Sequence, residues 1–289
     1  MPQNSPHNSS KPLPAVLLAA RFLFLPPGER DGREPRWLLA AKWLPIWGLA
    51  IGVSYAVIFR LAWRMFGEYQ RIRWLPAAII LALDLAICGR RLILGAIAAG
   101  RDPRGPDAQP EKPLYTSSLL LVLIVVLLKF AVLLSLPIGW EKPSDGPWRW
   151  DTFLARLGPL YPWSIYRPLV LAPLWGRWAM MLAMTIGRTA PGGSPRLRQM
   201  AGHASLTTVF AWWLLAAGLT VVYCSGSGEH LAHGVMLALV PLVVGYLAGF
   251  VLARRSDGQN EATVTTAALI TEMTFLTAYA GVASDIYWW

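Results

Sequence analysis

The sequence predicts an all-α integral membrane protein, a polytopic helix bundle of about seven transmembrane helices. Hydrophobic residues make up 55% of the 289 residues, against roughly 45–50% in ordinary soluble domains. Charged residues make up only 15%, where about 25% is usual. The 15 tryptophans suit belts at the two membrane interfaces, because indole is apolar with a single hydrogen-bond donor.

Seven apolar segments are each long enough to cross a bilayer, which takes roughly 20 residues. They lack the alternating pattern of barrel strands, so helices must satisfy the backbone within each segment. The stretch 13–27 is too short to span and ends in two prolines, which indicates an interfacial or re-entrant helix. We expect residues 1–13 to be disordered and 14–289 to form one membrane domain. The seven segments are 37–63, 74–99, 114–139, 168–188, 204–224, 231–253 and 265–285.

The net charge of +10 does not indicate nucleic-acid binding, because no basic run is interleaved with aromatic residues on a polar domain. In a membrane protein, lysine and arginine mark the connections that stay in the cytoplasm. The connection 225–230, "SGSGEH", has neither residue and is therefore placed outside. The N-terminus, 100–113, 189–203 and 254–264 are then cytoplasmic.

The stretch "LAPLWGRWAMMLAM" (171–184) places Arg177 deep in an apolar segment. A buried arginine costs several kcal/mol unless it meets a polar partner or water. Arg177 is too far from both ends of its segment to reach the interface easily. Small residues share one face of the segment and allow a neighbouring helix to approach closely. We expect Arg177 to face the bundle interior, near Glu272 or an anionic ligand such as a phosphate.

The same stretch resembles the arginine helix of the cobalamin synthase family, the adenosylcobinamide-GDP ribazoletransferases. Other pieces that resemble this family follow one another in the family's order, and together they span most of residues 14–280. They are "AARFLFLPPG" (19–28), "KWLPIWGLAIGVSYAV" (42–57), "LVLIVVLLKFAVLLSL" (121–136) and "RRSDGQNEATVTTAALITEMTFL" (254–276).

The resemblance implies a transferase of the bacterial cytoplasmic (inner) membrane. Such an enzyme joins α-ribazole, or its phosphate, to adenosylcobinamide-GDP and releases GMP with the help of magnesium. The chemistry needs a cation on the pyrophosphate, carboxylates to hold it, and a basic group to offset developing charge. The expected ligands and partners are therefore the nucleotide-activated corrinoid, α-ribazole, the lipid bilayer and partner membrane proteins. By the resemblance, Arg177 and Glu272 are catalytic candidates, Thr263 and Thr271 substrate-binding candidates, and Asp84, Asp102 and Glu111 magnesium candidates.

The chain departs from the family at most of its acidic positions. Asp84 can be recovered only by a shifted register, and it could equally cap the polar turn that follows it. A small number of scattered acidic residues rarely binds magnesium in competition with water. Two functions therefore stay open: a divergent transferase with an atypical metal site, or a catalytically degenerate homologue acting as a membrane binding or scaffold protein. This chain has Glu261 and Ala262 at the family's Gly-Asp pair, and Ala268 and Leu269 at its Asn-Glu pair. It has Leu94 and Ala98 where the family has two aspartates in its acidic loop.

The predicted topology can be tested with single cysteines at Ser227 and Ser256, in a background in which Cys88 and Cys224 are replaced by alanine. A membrane-impermeant thiol reagent added to intact cells should label Ser227→Cys but not Ser256→Cys, because the two connections lie on opposite sides. Labelling of both from outside would contradict the topology. Permeabilised cells, in which both should react, provide the control.

Overall fold

The structure is a computed structural model that describes residues 13–25, 37–67, 74–99, 113–136, 165–191, 193–225 and 231–287. Over these ranges the predicted all-helical fold is confirmed, and the only β-type contact is an isolated bridge between Thr189 and Gln259. Residues 1–13, which the sequence predicts to be disordered, lie almost entirely outside the described ranges. The helices are α1 (Ala15–Phe24), α2 (Trp37–Ala40), α3 (Leu44–Ala62), α4 (Trp74–Ala99), α5 (Pro113–Ser135), α6 (Tyr166–Thr185), α7 (Pro195–His203), α8 (Leu206–Cys224), α9 (Leu231–Arg255) and α10 (Glu261–Tyr287).

Four stretches in the described part of the chain are long and apolar enough to cross a membrane: Trp37–Phe66, Leu206–Cys224, Leu231–Arg255 and Glu261–Ala283. The first runs from α2 through α3 into the π-helical turn Trp63–Gly67. Shorter apolar helices cover Ala15–Phe24, Trp74–Ile87 and Val122–Ser135. The chain is therefore an integral membrane protein by composition and helix length, while the count of about seven spans stays a prediction.

Helix α6 occupies the centre of the bundle. Every residue from Tyr166 to Met184 is buried, and α3, α8, α9 and α10 pack around the helix. A helix enclosed in this way is covered by protein on all sides. The segment that carries Arg177 is thus the core of the fold and faces other helices rather than lipid.

Glycines spaced four residues apart bring the neighbouring helices close to α6. A Cβ atom on Gly48 of α3 would lie 2.6 Å from the carbonyl oxygen of Pro173 in α6, and a Cβ atom on Gly52 would also overlap the backbone of α6. Helix α9 packs on α6 through a second such pair, Gly245 and Gly249. Small residues at these positions allow the backbones to approach and gain van der Waals contact, which drives association within a membrane.

Two connections meet at one end of the bundle. The amide of Ala190 donates to the carbonyl of Gln259 at 2.9 Å, and the amide of Gln259 donates to the carbonyl of Arg188 at 2.7 Å. Gly258 has φ +132°, and a Cβ atom there would lie 2.7 Å from the amide nitrogen of Ala190, so only glycine fits. We call residues 186–205 and 254–261 the α7 end; α2 packs against α7 there.

The close approach of α3 to α6 predicts that Gly48→Ala destabilises the protein. The new methyl group would meet backbone atoms that cannot move aside, and overpacking of this kind costs about 1–3 kcal/mol. We expect the apparent Tm in detergent to fall by roughly 3–10 °C. Gly218→Ala in α8 is the matched control, because nothing lies within 4 Å of a Cβ atom there. An equal Tm for both variants would contradict this packing.

Candidate functional site

Four charged side chains and one tyrosine meet inside the bundle, each from a different helix. They are Tyr55 of α3, Asp84 of α4, Lys129 of α5, Arg177 of α6 and Glu272 of α10. None is more than 6% exposed. We call this group the intramembrane charge cluster, since each residue lies in the middle part of its helix. The sequence-predicted residues Asp84, Arg177 and Glu272 are therefore brought together.

Lys129 is the centre of the cluster. Its Nζ donates to Asp84 Oδ2 at 2.9 Å and to Glu272 Oε1 at 2.5 Å. The Tyr55 hydroxyl donates to the other oxygen of Asp84 at 2.9 Å, and Arg177 Nη1 lies 3.9 Å from the other oxygen of Glu272. Each carboxylate oxygen thus faces a donor or a cation. Among these four described side chains, the two carboxylates balance the two cations.

Pairing with opposite charges is what allows these side chains to lie in an apolar interior, because a lone buried charge costs several kcal/mol. Gly176 provides the local geometry: a Cβ atom there would lie 3.1 Å from Glu272 Oε2 and 3.3 Å from the carbonyl of Ala268. The missing side chain lets α10 approach α6 until Glu272 reaches Arg177. The structure thus places Arg177 in the interior beside Glu272, as the sequence indicated; their catalytic roles stay predictions.

The arrangement does not fit magnesium between Asp84 and Glu272. Magnesium requires a near-octahedral set of oxygen ligands at about 2.0–2.1 Å, whereas the space between these carboxylates holds the Lys129 ammonium. A divalent ion added beside Lys129 would bring further positive charge to carboxylates that are already paired, at a high desolvation cost. Within the described ranges no three His, Cys, Asp or Glu side chains come together. The other two magnesium candidates, Asp102 and Glu111, lie outside those ranges.

A second ion pair lies at the α7 end. Arg196 is fully buried, and its Nε and Nη2 each donate to a different oxygen of Glu261 at 2.7 Å. Its Nη1 donates to the carbonyl of Leu25 at 3.1 Å, and the guanidinium lies 5.2 Å from the ring centroid of Phe22. Ser194 also donates to Glu261. This bidentate pair ties α1, α7 and α10 together.

The two threonines predicted to bind substrate, Thr263 and Thr271, form hydrogen bonds within the fold. Thr263 and Asn260 form a reciprocal cap at the start of α10, with both side-chain-to-amide distances at 2.9 Å, and the Thr263 hydroxyl donates to Gln259 Oε1 at 2.8 Å. The Thr271 hydroxyl donates to the carbonyl of Ala267 at 2.8 Å. The polar residues at the start of α10 thus cap the N-terminus of this helix. Substrate binding by either threonine stays a prediction.

The exposed surface of the α7 end is basic. Four exposed arginines lie there, and the guanidinium of one of them, Arg254, lies 4.4 Å from the ring centroid of Phe250. The acids that the structure describes at this end are Asp257, which is exposed, and Glu261, which is bound by Arg196. Clustered cations attract anionic partners. We call Arg188, Arg198, Arg254 and Arg255 the basic surface of the α7 end.

Sequence reasoning missed Lys129 and Tyr55. A signal for Lys129 existed, because it is the single charge in "LVLIVVLLKFAVLLSL", and an intramembrane lysine requires an acidic partner. Which acid it binds could not be deduced, since its partners are 45 and 143 residues away along the chain. Tyr55 carries no such signal, because tyrosine is common in apolar helices without a charged partner.

Comparison with known proteins agrees with the resemblance in the sequence. The model of a family described as cobalamin-5-phosphate synthase matches residues 116–280, more than half of the chain. No curated protein and no solved structure matches the chain. The matched region includes Lys129, Arg177, Glu261 and Glu272 and begins after Asp84.

The Arg196–Glu261 pair predicts that Glu261→Gln lowers stability. The amide keeps the shape but removes the negative charge that the buried guanidinium binds at this position. We expect a cost of about 2 kcal/mol, below the 3–5 kcal/mol of a fully buried pair because Glu261 is partly exposed. Thermal unfolding in detergent measures it. Asp257→Asn makes the same charge change at an exposed position of the same end and should leave Tm unchanged; an equal loss would contradict this interpretation.

Proposed function

Because the chain belongs to the cobalamin-5-phosphate synthase family, we propose that it is a membrane protein of cobalamin biosynthesis that binds the nucleotide-activated corrinoid without transferring it. It is then a catalytically degenerate homologue that acts as a membrane binding or scaffold protein. The observation that carries this proposal is the pairing of Asp84 and Glu272 with Lys129 inside the bundle.

Magnesium-dependent transfer needs carboxylates that are free to hold the cation on a pyrophosphate. The two candidate acids that the structure describes, Asp84 and Glu272, are both bound by Lys129 of the chain itself. To bind magnesium, Asp84 and Glu272 would have to release Lys129, and an unpaired buried ammonium costs several kcal/mol. The internal ion pairs therefore favour a fold that keeps the scaffold without the metal chemistry.

Ligand binding is proposed at the basic surface of the α7 end. The expected ligands, adenosylcobinamide-GDP and α-ribazole phosphate, carry pyrophosphate and phosphate groups. Guanidinium groups bind such oxygens in bidentate fashion. The excess of arginine at this end also supports a cytoplasmic location for it. The protein would then lie in the bacterial cytoplasmic (inner) membrane with its N-terminus in the cytoplasm.

A second candidate function is the transfer reaction itself, and the family match over more than half of the chain favours it. In that case Asp102 and Glu111 would supply the magnesium ligands from the connection between α4 and α5. Arg177 and Glu272 would be the catalytic pair, and Arg177 would have to leave Glu272 to meet a phosphate. The two candidates differ in one measurable product, GMP.

Binding is tested with purified protein in nanodiscs titrated with adenosylcobinamide-GDP in a calorimeter. We expect saturable binding that weakens at least tenfold in the double variant Arg254→Ala, Arg255→Ala, because charged hydrogen bonds contribute about 1.5–3 kcal/mol each. Arg64→Ala removes an exposed arginine at the opposite end of the Trp37–Phe66 stretch and should leave the affinity unchanged. Absence of binding, or an equal effect of Arg64→Ala, would contradict the proposed site.

Transfer is tested in the same preparation by adding α-ribazole phosphate and magnesium and following GMP by chromatography. We expect no release above that of a protein-free control. Magnesium-dependent release that disappears in Asp102→Asn and Glu111→Gln would replace the binding function by the transferase. Binding without release would distinguish the proposed function from both its second candidate and an unrelated role.

A further inference from the structure

The last turn of α9 carries an arginine that folds back along its own helix. Arg254 lies in this turn, and its guanidinium lies 4.4 Å from the ring centroid of Phe250, one turn earlier. The Phe250 ring stacks in turn on Tyr246, with 6.2 Å between the ring centroids and 9° between the ring planes. Because side chains at i and i+4 are neighbours on a helix surface, the three residues form a continuous row. We call Tyr246, Phe250 and Arg254 the α9 ladder.

The α9 ladder lies on the face of the helix that points away from the bundle. Gly245 and Gly249 lie on the packed face, whereas Tyr246 is 51% exposed and Arg254 is also exposed. The stretch Leu231–Arg255 is long and apolar enough to cross a membrane, and its length of about 37 Å exceeds the roughly 30 Å of a hydrocarbon core. The outward face is therefore a lipid-facing surface that ends in an arginine.

The direction of the Arg254 side chain indicates a partner on the membrane side. A long basic side chain at the end of a membrane helix ordinarily extends toward water, where its charge is hydrated. Arg254 instead lies over Phe250, one turn closer to the apolar part of α9. The phosphate of a phospholipid is the anion that reaches this depth, and its acyl chains continue along the apolar surface of the same face. A guanidinium binds phosphate oxygens through two parallel hydrogen bonds.

Two further arginines lie at the same end of α9. Arg255 follows Arg254 and is exposed. Arg188 is exposed on the connection that follows α6, and this connection lies against the last turn of α9, because a Cβ atom on Gly187 would lie 3.6 Å from the Cβ atom of Ala253. Three arginines from two segments of the chain thus surround one end of the ladder.

Gln259 holds these two segments together. Its side chain is buried, and its Nε2 donates to the carbonyl of Ile186 at 3.2 Å and to the carbonyl of Gly249 in α9 at 2.9 Å. The backbone amide of Gln259 donates to the carbonyl of Arg188 at 2.7 Å. Hydrogen bonds therefore set the position of the Arg188 backbone relative to the end of α9.

We infer that the α9 ladder and the arginines beside it form a binding site for one anionic phospholipid in the leaflet next to the α7 end. Arg254 binds the lipid phosphate, Arg188 and Arg255 add positive charge, and an acyl chain lies along Phe250 and Tyr246. A headgroup with a net negative charge fits, because basic residues clustered at the end of a membrane helix attract anionic lipids. This inference goes beyond the proposed function and is tested without a corrinoid.

The test compares phosphatidylglycerol with phosphatidylcholine of the same acyl chains. Delipidated protein in a neutral detergent is titrated with each lipid, and bound lipid is counted by native mass spectrometry. Both lipids have a phosphate, but choline neutralises it, so the comparison measures the effect of headgroup charge. We expect phosphatidylglycerol to bind at least fivefold more tightly, since each basic residue near an anionic surface contributes about that factor. Equal binding of the two lipids would overturn the inference.

Three variants locate the site. Arg254→Ala should weaken phosphatidylglycerol binding about fivefold and leave Tm unchanged, because Arg254 is exposed. Phe250→Leu keeps every charge but removes the ring beneath the guanidinium, and it should weaken binding about two- to fivefold. Arg64→Ala is the matched control, since it removes an exposed arginine at the opposite end of the Trp37–Phe66 stretch and should leave the affinity unchanged.

Unchanged affinity in Arg254→Ala, or an equal loss in Arg64→Ala, is incompatible with this site. Unchanged affinity in Phe250→Leu would also overturn the inference, because lipid would then be attracted by the basic surface as a whole and not by the ladder.

Glycerol 3-phosphate distinguishes a lipid from a soluble phosphate, because it has the phosphate without the acyl chains. At equal concentration it should not displace phosphatidylglycerol; displacement would assign the arginines to a soluble ligand and overturn the lipid site. Binding of adenosylcobinamide-GDP is a separate measurement. Its absence would contradict the proposed function alone, and loss of the preference for phosphatidylglycerol would contradict the lipid site alone.

Discussion

The bridge from Lys129 to Asp84 and Glu272 is the interaction on which the arrangement of the bundle depends. A charge in an apolar interior is tolerated only beside an opposite charge, and here four charges from four helices satisfy one another. These ion pairs link α4, α5, α6 and α10 and so fix the register of one helix against another. The glycines that let α3, α9 and α10 approach α6 are what bring these side chains within reach.

The same bridge determines what the family scaffold can do in this chain. A carboxylate that neutralises a lysine inside the bundle is a poor ligand for magnesium, since the metal must first displace a cation that cannot leave the protein. Under the proposed function the interior would be structural, and ligand binding would take place at the α7 end. There Arg196 is paired with Glu261, whereas Arg188, Arg198, Arg254 and Arg255 are exposed.

The candidate site was predictable in part. The partnership of Arg177 with Glu272 follows from the rule that a mid-membrane arginine needs an oxygen partner, and few acids lie in apolar segments of this chain. The bridging role of Lys129 did not follow, because it is defined by two acids far away in sequence. For Thr263 and Thr271 the resemblance predicts substrate binding, and the structure adds that their hydroxyls donate to Gln259 and to the carbonyl of Ala267.

By itself, the sequence determined that this is a helical membrane protein, since long apolar runs leave the backbone no partner outside its own segment. It also indicated that Arg177 had to be buried beside a polar partner, and through ordered motifs it indicated the family. The tertiary structure decided which helix is central and which cation meets which acid. These depend on how closely helices approach, which is set by contacts between glycines and distant backbone atoms such as Gly48 and Pro173. The spacing of the glycines indicates that some helix comes close, but it does not indicate which helix, so only the folded bundle specifies the contact.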